Sequence, residues 1–213
     1  MAKTSITVVR HGETEWNVAM RLQGMQNSPL TARGILQAKQ AANALREKTF
    51  DKLISSDLER AILTAQILNG HHDLPLETEK SLRERNFGIM EGLTREEILA
   101  RFPDTFRGYM NRKKTYPIPK GESLVDFYAR VTGGLKRIAA ANEGKRLLLV
   151  THGGVLDCMM RMIFDYPLDA PRRFSIYNAS INVFSVEEGL WQLDTWGNID
   201  FQPGEAKSLE EPK

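Results

Sequence analysis

The sequence predicts an α/β protein of three layers (α/β/α), with helices on both faces of a mostly parallel sheet and an antiparallel hairpin at one sheet edge. Three observations lead there. Short apolar runs alternate with helical patterns along most of the chain, as βαβ units require. Two of these runs, Ile6-Thr7-Val8-Val9 and Leu147-Leu148-Leu149-Val150, lead directly into a histidine followed by glycine, His11-Gly12 and His152-Gly153. Near the C-terminus the pattern changes: Ser180–Val186 and Trp191–Trp196 flank Glu188-Gly189, which reads as a hairpin.

Along the chain, Ile6–Val9 is a buried strand, and residues 15–30 form an irregular loop. Thr31 is placed as the N-cap of a helix from Ala32 to about Lys48, with Ile35, Ala38, Ala42 and Leu45 on one face. Lys52–Ser55 is a short strand. Ser56 with Glu59 three residues on predicts a capping box opening the next helix, which runs to Asn69 and stops at Gly70. Residues 71–92 connect, with a short strand around Leu76–Glu79. Thr94 with Glu97 is a second capping box, and Pro103 interrupts the pattern after it. Asp104–Ile118 is basic and aromatic, a short helix and a loop. Glu122–Asn142 predicts a long helix weakened by Gly133-Gly134. Arg146–Val150 is the second strand that ends on histidine, and a helix runs from Gly153 to Phe164. These elements make one domain over residues 1–203, and the polar stretch 204–213 is expected to be a disordered tail.

Composition narrows the function classes. The 213-residue chain carries a net charge of +2, so charge alone implies no nucleic-acid partner. No apolar run approaches the ~20 residues of a membrane span. The single cysteine, Cys158, leaves no internal disulfide and suits a reducing compartment. Met1-Ala2-Lys3 leads straight into the first strand, so no signal peptide is expected. The expected location is the cytoplasm.

In open α/β sheets, ligands bind beyond the carboxyl ends of the strands. His11 and His152 are both delivered to that edge. A nucleophilic histidine must be neutral, with one ring nitrogen free and the other held, for instance by a backbone carbonyl. Arg10 supplies a fork of donors suited to phosphate oxygens, and Thr14 and Asn17 add small polar groups in the same loop. Arg60 falls in the first turn of a helix after a strand, from where it reaches back over the strand ends. Gly153 and Gly154 allow close backbone approach to a ligand at a helix N-terminus. A donor at His152 would stabilise charge on a transferring phosphoryl group. Cleavage of a phosphate ester also needs an acid for the leaving oxygen. Glu84 and Glu91 both qualify, and a like charge from bound phosphate favours the protonated carboxyl such a role needs.

Four segments together resemble the histidine phosphatase superfamily, the phosphoglycerate mutase-like proteins. They are Arg10-His11-Gly12-Glu13-Thr14-Glu15-Trp16-Asn17, the run Ser56-Asp57-Leu58-Glu59-Arg60-Ala61 through Thr64-Ala65, Leu82–Gly92 around Glu84, Phe87-Gly88 and Glu91-Gly92, and Thr151-His152-Gly153-Gly154. They stand in the family's order and span the chain to about Trp196. The resemblance implies a phosphoglycerate mutase-like fold and His11 as a phosphorylated nucleophile. It implies a phosphate pocket of Arg10, Arg60 and His152, assisted by Asn17. It assigns the acid to Glu84, leaves Glu91 structural, and requires no metal or other cofactor. A small phosphorylated metabolite is the expected partner, and oligomeric state is left open.

Three activities share such a core. A phosphatase transfers the phosphoryl group to water. A cofactor-dependent phosphoglycerate mutase must exclude water and retain 2,3-bisphosphoglycerate, and in the family it carries a longer basic insertion before the long helix. The span from Gly92 to Gly121 is short here, which favours the phosphatase. A non-catalytic phosphate- or protein-binding relative is the third reading, disfavoured because every expected chemical residue is present. Around residues 178–182 the chain resembles α-ribazole phosphatases and broad-specificity relatives. The remaining signals read as scaffold. His71-His72 are exposed loop residues that point apart, and Arg112-Lys113-Lys114 reads as a solvated charge run in preference to a lining of the substrate entrance. Trp191 and Trp196 are packing residues, and Cys158 belongs to the core. A cysteine-phosphatase loop would need arginine where Phe164 stands, and no aspartate-phosphatase motif comes after any strand.

Overall fold

The computed structural model describes residues 2–111 and 113–204, so the expectation for the tail falls outside the described residues beyond Gly204. Six strands form one sheet: β1 (Thr4–Arg10), β2 (Lys52–Ser55), β3 (Leu76–Thr78), β4 (Arg146–Thr151), β5 (Ile181–Glu187) and β6 (Leu190–Asn198). Their order is β3-β2-β4-β1-β5-β6. The first four are mutually parallel, while β5 and β6 run antiparallel at one edge. The predicted mixed sheet is therefore the observed one.

The central strands are apolar throughout because both faces are covered. Ile6, Val8, Leu147 and Leu149 pack on one side with Phe127, Val131 and Leu135 of α6 (Leu124–Ala141) and Val155 and Met159 of α7 (Gly153–Phe164). On the other side, Val9, Leu53, Leu148 and Val150 meet Ala41, Ala42 and Leu45 of α2 (Ala32–Leu45) and Ala61, Ala65 and Leu68 of α3 (Glu59–Leu68). This is the two-residue alternation of a strand, with apolar residues at both phases. Trp191 and Trp196 pack against the first face.

Several local expectations are corrected. The capping box at Ser56 does not form. Leu58 is the N-cap of α3 and makes no side-chain cap bond, because the Ser56 hydroxyl is drawn to His152 instead. Pro103 opens a helix, α5 (Pro103–Met110), where a missing N–H costs nothing. The helix before it is α4 (Arg95–Arg101), whose Thr94–Glu97 capping box is present. The loop after β1 begins with a single turn, α1 (Glu15–Val18). Helix α2 ends at Leu45, short of Lys48. Helix α6 runs through Gly133-Gly134 unbroken; a Cβ on Gly134 would sit 2.0 Å from Ser81 Oγ, so the glycine admits a neighbouring loop. His72 is half-buried, edge-on to Phe50, and not fully exposed.

A third, small cluster lies apart from the sheet. Met90, Ile98, Phe106 and Ile118 pack together, with Phe87, Tyr109 and Tyr116 against them. It organises α4, α5 and the loop to α6 into a wall beside the strand ends.

Candidate active site

The loops after β1, β2 and β4 are tied together beyond the last ladder pairs. His11 N donates to the Thr151 carbonyl at 2.9 Å, and Ser56 N donates to the Val150 carbonyl at 2.9 Å. These bonds place the Arg10-His11, Ser56–Arg60 and His152 segments side by side at the carboxyl edge of the sheet. His11 and His152 meet there with ring centroids 5.2 Å apart.

Four groups make a nearly buried floor: Arg10 is 2% exposed, His11 3%, Arg60 2% and His152 0%. His11 Nδ1 lies 2.8 Å from the Gly12 carbonyl. As the carbonyl can only accept, Nδ1 carries the proton and Nε2 keeps its lone pair. Burial, then the charges of Arg60 and Arg10, hold the His11 pKa well below its ordinary value. Burial and the same cationic surroundings do this to His152. Both imidazoles are therefore neutral at neutral pH. Burial also lowers Arg60, to about 10, which leaves it charged at neutral pH.

Arg60 is aimed by backbone. Its terminal nitrogens donate to the carbonyls of Gln26 and Gly24, both at 2.7 Å. Its Nε is buried without a hydrogen-bond partner among the described residues, as is His152 Nδ1. Orphaned buried donors are costly, and a bound anion would satisfy them. Arg10 is anchored by a bond to the Ile176 carbonyl at 3.1 Å.

The two candidate acids separate in space. Glu84 lines the cleft with Arg10, His11, Asn17 and Arg60. Its carboxylate accepts from Gly154 N at 2.9 Å and from Arg85 N at 2.7 Å. A Cβ on Gly154 would sit 2.1 Å from Glu84 Oε1, so a side chain there would displace the Glu84 carboxylate. Arg130 holds the backbone behind it, donating to the carbonyls of Ser81, Arg83 and Glu84 at 3.0–3.1 Å while paired with Glu122. Glu91 instead turns toward residues 25 and 87, accepting from Met25 N and Phe87 N, both at 2.9 Å. It pins the very loop whose carbonyls hold Arg60. Burial raises its pKa.

Two residues expected to bind phosphate sit one step back from the cleft. Thr14 is fully buried and caps α1, and its capping box engages Asn17. The Asn17 Oδ1 accepts from Thr14 N and from Thr14 Oγ1, both at 3.1 Å, and Asn17 lines the cleft. Gly153 is buried in the first turn of α7, and of this pair it is Gly154 that lines the cleft. Two further residues support the site without having been expected there. Asn178 Nδ2 donates to the His11 carbonyl at 3.1 Å, and Thr64 Oγ1 accepts from Gly12 N at 3.1 Å. Thr64 stands inside one of the four motifs, and Asn178 inside the stretch that resembles α-ribazole phosphatases. Neither contact has a spacing signal in sequence.

The cleft measures about 440 Å³. Above the floor its wall is aromatic and basic, with Phe87, Tyr109, Tyr116 and Phe127 beside Arg21, Arg85, Lys113 and Arg172. Lys113 is exposed, as a solvated run requires, and it also lines the cleft. Lys114 pairs with Asp169 at 3.2 Å, and Arg112 lies outside the described residues. Among the described residues no group of three or more His, Cys, Asp or Glu side chains could hold a metal ion, and no helix is long and apolar enough to cross a membrane.

Comparison with known proteins shows the family and the fold. The sequence model of the histidine phosphatase superfamily (branch 1) matches residues 6–199. Phosphoglycerate mutase-like protein 4 of Arabidopsis thaliana is 37% identical over 199 residues, covering 91% of this chain and 85% of that protein. Among solved structures, Bacillus stearothermophilus YhfR superposes with a TM-score of 0.86 at 32% identity, covering 93% of this chain and 98% of that one. The α-ribazole phosphatase of Shigella flexneri superposes with a TM-score of 0.84 at 27% identity, covering 91% and 96%.

Proposed function

The chain belongs to the histidine phosphatase superfamily, and on that premise we propose that it is a cytoplasmic, metal-independent phosphomonoesterase acting on small phosphorylated metabolites through a phosphohistidine. The observation that carries this reading is His11 itself: neutral, its Nδ1 committed to the Gly12 carbonyl, its other nitrogen open beside two buried arginines.

The reaction has two halves. His11 Nε2 attacks phosphorus in line, and the bond to the ester oxygen breaks. Glu84 delivers a proton to that oxygen as it leaves. Water then attacks the phosphohistidine while Glu84, now a carboxylate, takes its proton, and inorganic phosphate departs. Arg10, Arg60, His152 and the Asn17 amide hold the phosphoryl oxygens. Positioning and positive charge supply most of the acceleration, as is usual for phosphoryl transfer. All these groups come from the chain, so no cofactor is assigned.

The test is release of inorganic phosphate, without added metal, from a panel of phosphorylated metabolites, with His11→Ala as control. Release from several members that is absent in the control supports the reading. No release, but interconversion of 3- and 2-phosphoglycerate that depends on 2,3-bisphosphoglycerate, would replace it with the mutase activity suggested by the Arabidopsis relative's name.

A further inference from the structure

Ser56 was expected to cap a helix, and it does not. It is fully buried, and its Oγ lies 2.8 Å from His152 Nε2. We propose that Ser56 is a positioning residue that selects the tautomer of His152 and so turns its Nδ1–H toward the bound phosphoryl group. The catalytic part of this inference rests on the phosphatase reading; the tautomer itself does not.

Counting protons fixes the assignment. A neutral imidazole has one N–H, so one ring nitrogen donates and the other accepts. His152 is fully buried among Arg60, His11, Arg10 and Arg130, surroundings that keep it neutral. Which nitrogen bears the proton is then decided by Ser56. The Leu58 N–H points into Ser56 Oγ at 3.4 Å, so the hydroxyl oxygen already accepts. The Ser56 hydroxyl proton has no recipient among the described residues other than His152 Nε2. With Nε2 accepting, Nδ1 must carry the hydrogen. That nitrogen is buried with no hydrogen-bond partner among the described residues.

The reverse arrangement fails twice. If His152 Nε2–H donated to Ser56, the serine oxygen would receive two donors while its own buried proton stayed unmade. His152 Nδ1 would also present a lone pair to any phosphate oxygen nearby, and two acceptors repel. The chain of donors runs one way: Leu58 N–H to Ser56 O–H to His152, and from Nδ1–H to the anion. It joins the end of β2 to the end of β4 across 96 residues of sequence. The missing helix cap is the local cost of this arrangement.

The tautomer can be read directly on the full chain labelled with [15N]histidine, using two-bond proton–nitrogen correlation spectra at a pH where His152 is neutral. His152→Gln assigns the signal by its loss. The Nδ1–H pattern is expected for His152 in the wild type and in Ser56→Thr, which keeps the hydroxyl. In Ser56→Ala the Nε2–H form should appear. An Nε2–H pattern in the wild type, or an unchanged Nδ1–H pattern in Ser56→Ala, overturns the proposal. Inorganic phosphate affinity is the second readout. It should fall roughly ten-fold in Ser56→Ala, as for loss of a hydrogen bond to a charged group, and recover in Ser56→Thr. A loss shared equally by both variants would mean that Ser56 only fills space. Neither readout requires turnover, so a failed phosphatase assay and a failed tautomer assignment are separable.

Discussion

The floor and the wall of the cleft are built by different means. The floor hangs on the ends of β1, β2 and β4, strands buried on both faces and joined past their ends by backbone bonds. Its four charged or ionisable side chains are at most 3% exposed, and each is held by backbone, or by a serine itself tied to backbone. The wall rests on short helices and turns around a cluster of four buried apolar residues. Much of its contact is between side chains: the Arg85 guanidinium lies 5.7 Å from the Phe87 ring centre and 5.9 Å from that of Tyr109, with its backbone tie to the Glu122 carbonyl at 3.0 Å. In the proposed reaction, a floor fixed this way would specify what is done to a phosphate. A wall built on short helices and turns can vary and reshape, and in the proposed reaction it would meet the rest of the substrate. Glu84 stands at the seam, on the wall's chain segment yet bonded to Gly154 of the floor.

This division can be broken by mutation, beginning with the largest effect. His11→Ala should lower turnover by at least about a thousand-fold, as loss of a nucleophile does, while the melting transition persists. Purified mutant with substantial activity would refute the floor as the reacting part. Glu84→Gln at the seam should cost on the order of a hundred-fold with alkyl phosphates. With an aryl phosphate, whose leaving oxygen needs little protonation, the loss should be under about ten-fold. Equal losses would remove Glu84 from the acid role.

Wall changes should be milder and selective. Tyr109→Ala is expected to raise KM for the preferred metabolite by a few-fold to roughly ten-fold, as for one lost packing contact. Hydrolysis of the preformed phosphoenzyme should be unchanged, because the leaving group has gone by then. Rapid-quench measurement of both steps separates them, and a slower second step would show that the wall also shapes the floor.

The smallest expected effect is on stability against pH. Unfolded histidine titrates near about pH 6.5. His11 and His152 have folded pKa values well below that, so below it the unfolded chain binds more protons than the native one. Stability from these two groups is present above that pH and is lost as pH falls toward their folded values. Bound phosphate has the opposite influence: its negative charge should raise both pKa values, so binding takes up protons. Histidine titrations by NMR with and without inorganic phosphate check this, and an unaltered titration would place the anion away from the two rings.

How much of the site was legible depended on the range of the interaction. Apolar runs at both phases identify doubly covered strands, and His11, Arg10 and His152 come directly after such runs, so their arrival at one edge could be read locally. Arg60 could be placed from a strand, a turn and a helix start. Glu84 and Glu91 could not be separated by chemistry, since both are carboxylates in one motif. Their difference is that one bonds to Gly154, 70 residues away, and the other to Met25, 66 residues away. The Ser56 and Glu59 pattern misled because a local cap competed with a buried imidazole, and the imidazole prevailed. The wall was least legible, since nothing in residues 93–120 states which short helix packs on which.

By itself, then, the sequence determined the layers, the strand ends at which His11 and His152 arrive, and the residue types there that can handle a phosphate, because these depend on periodicity and on neighbours within a few residues. The tertiary structure alone decided which carboxylate enters the cleft, that Gly154 rather than Gly153 forms its surface, that Thr14 orients Asn17 from behind, and that Ser56 addresses His152. Those outcomes depend on distances between segments far apart in the chain, and only packing sets them.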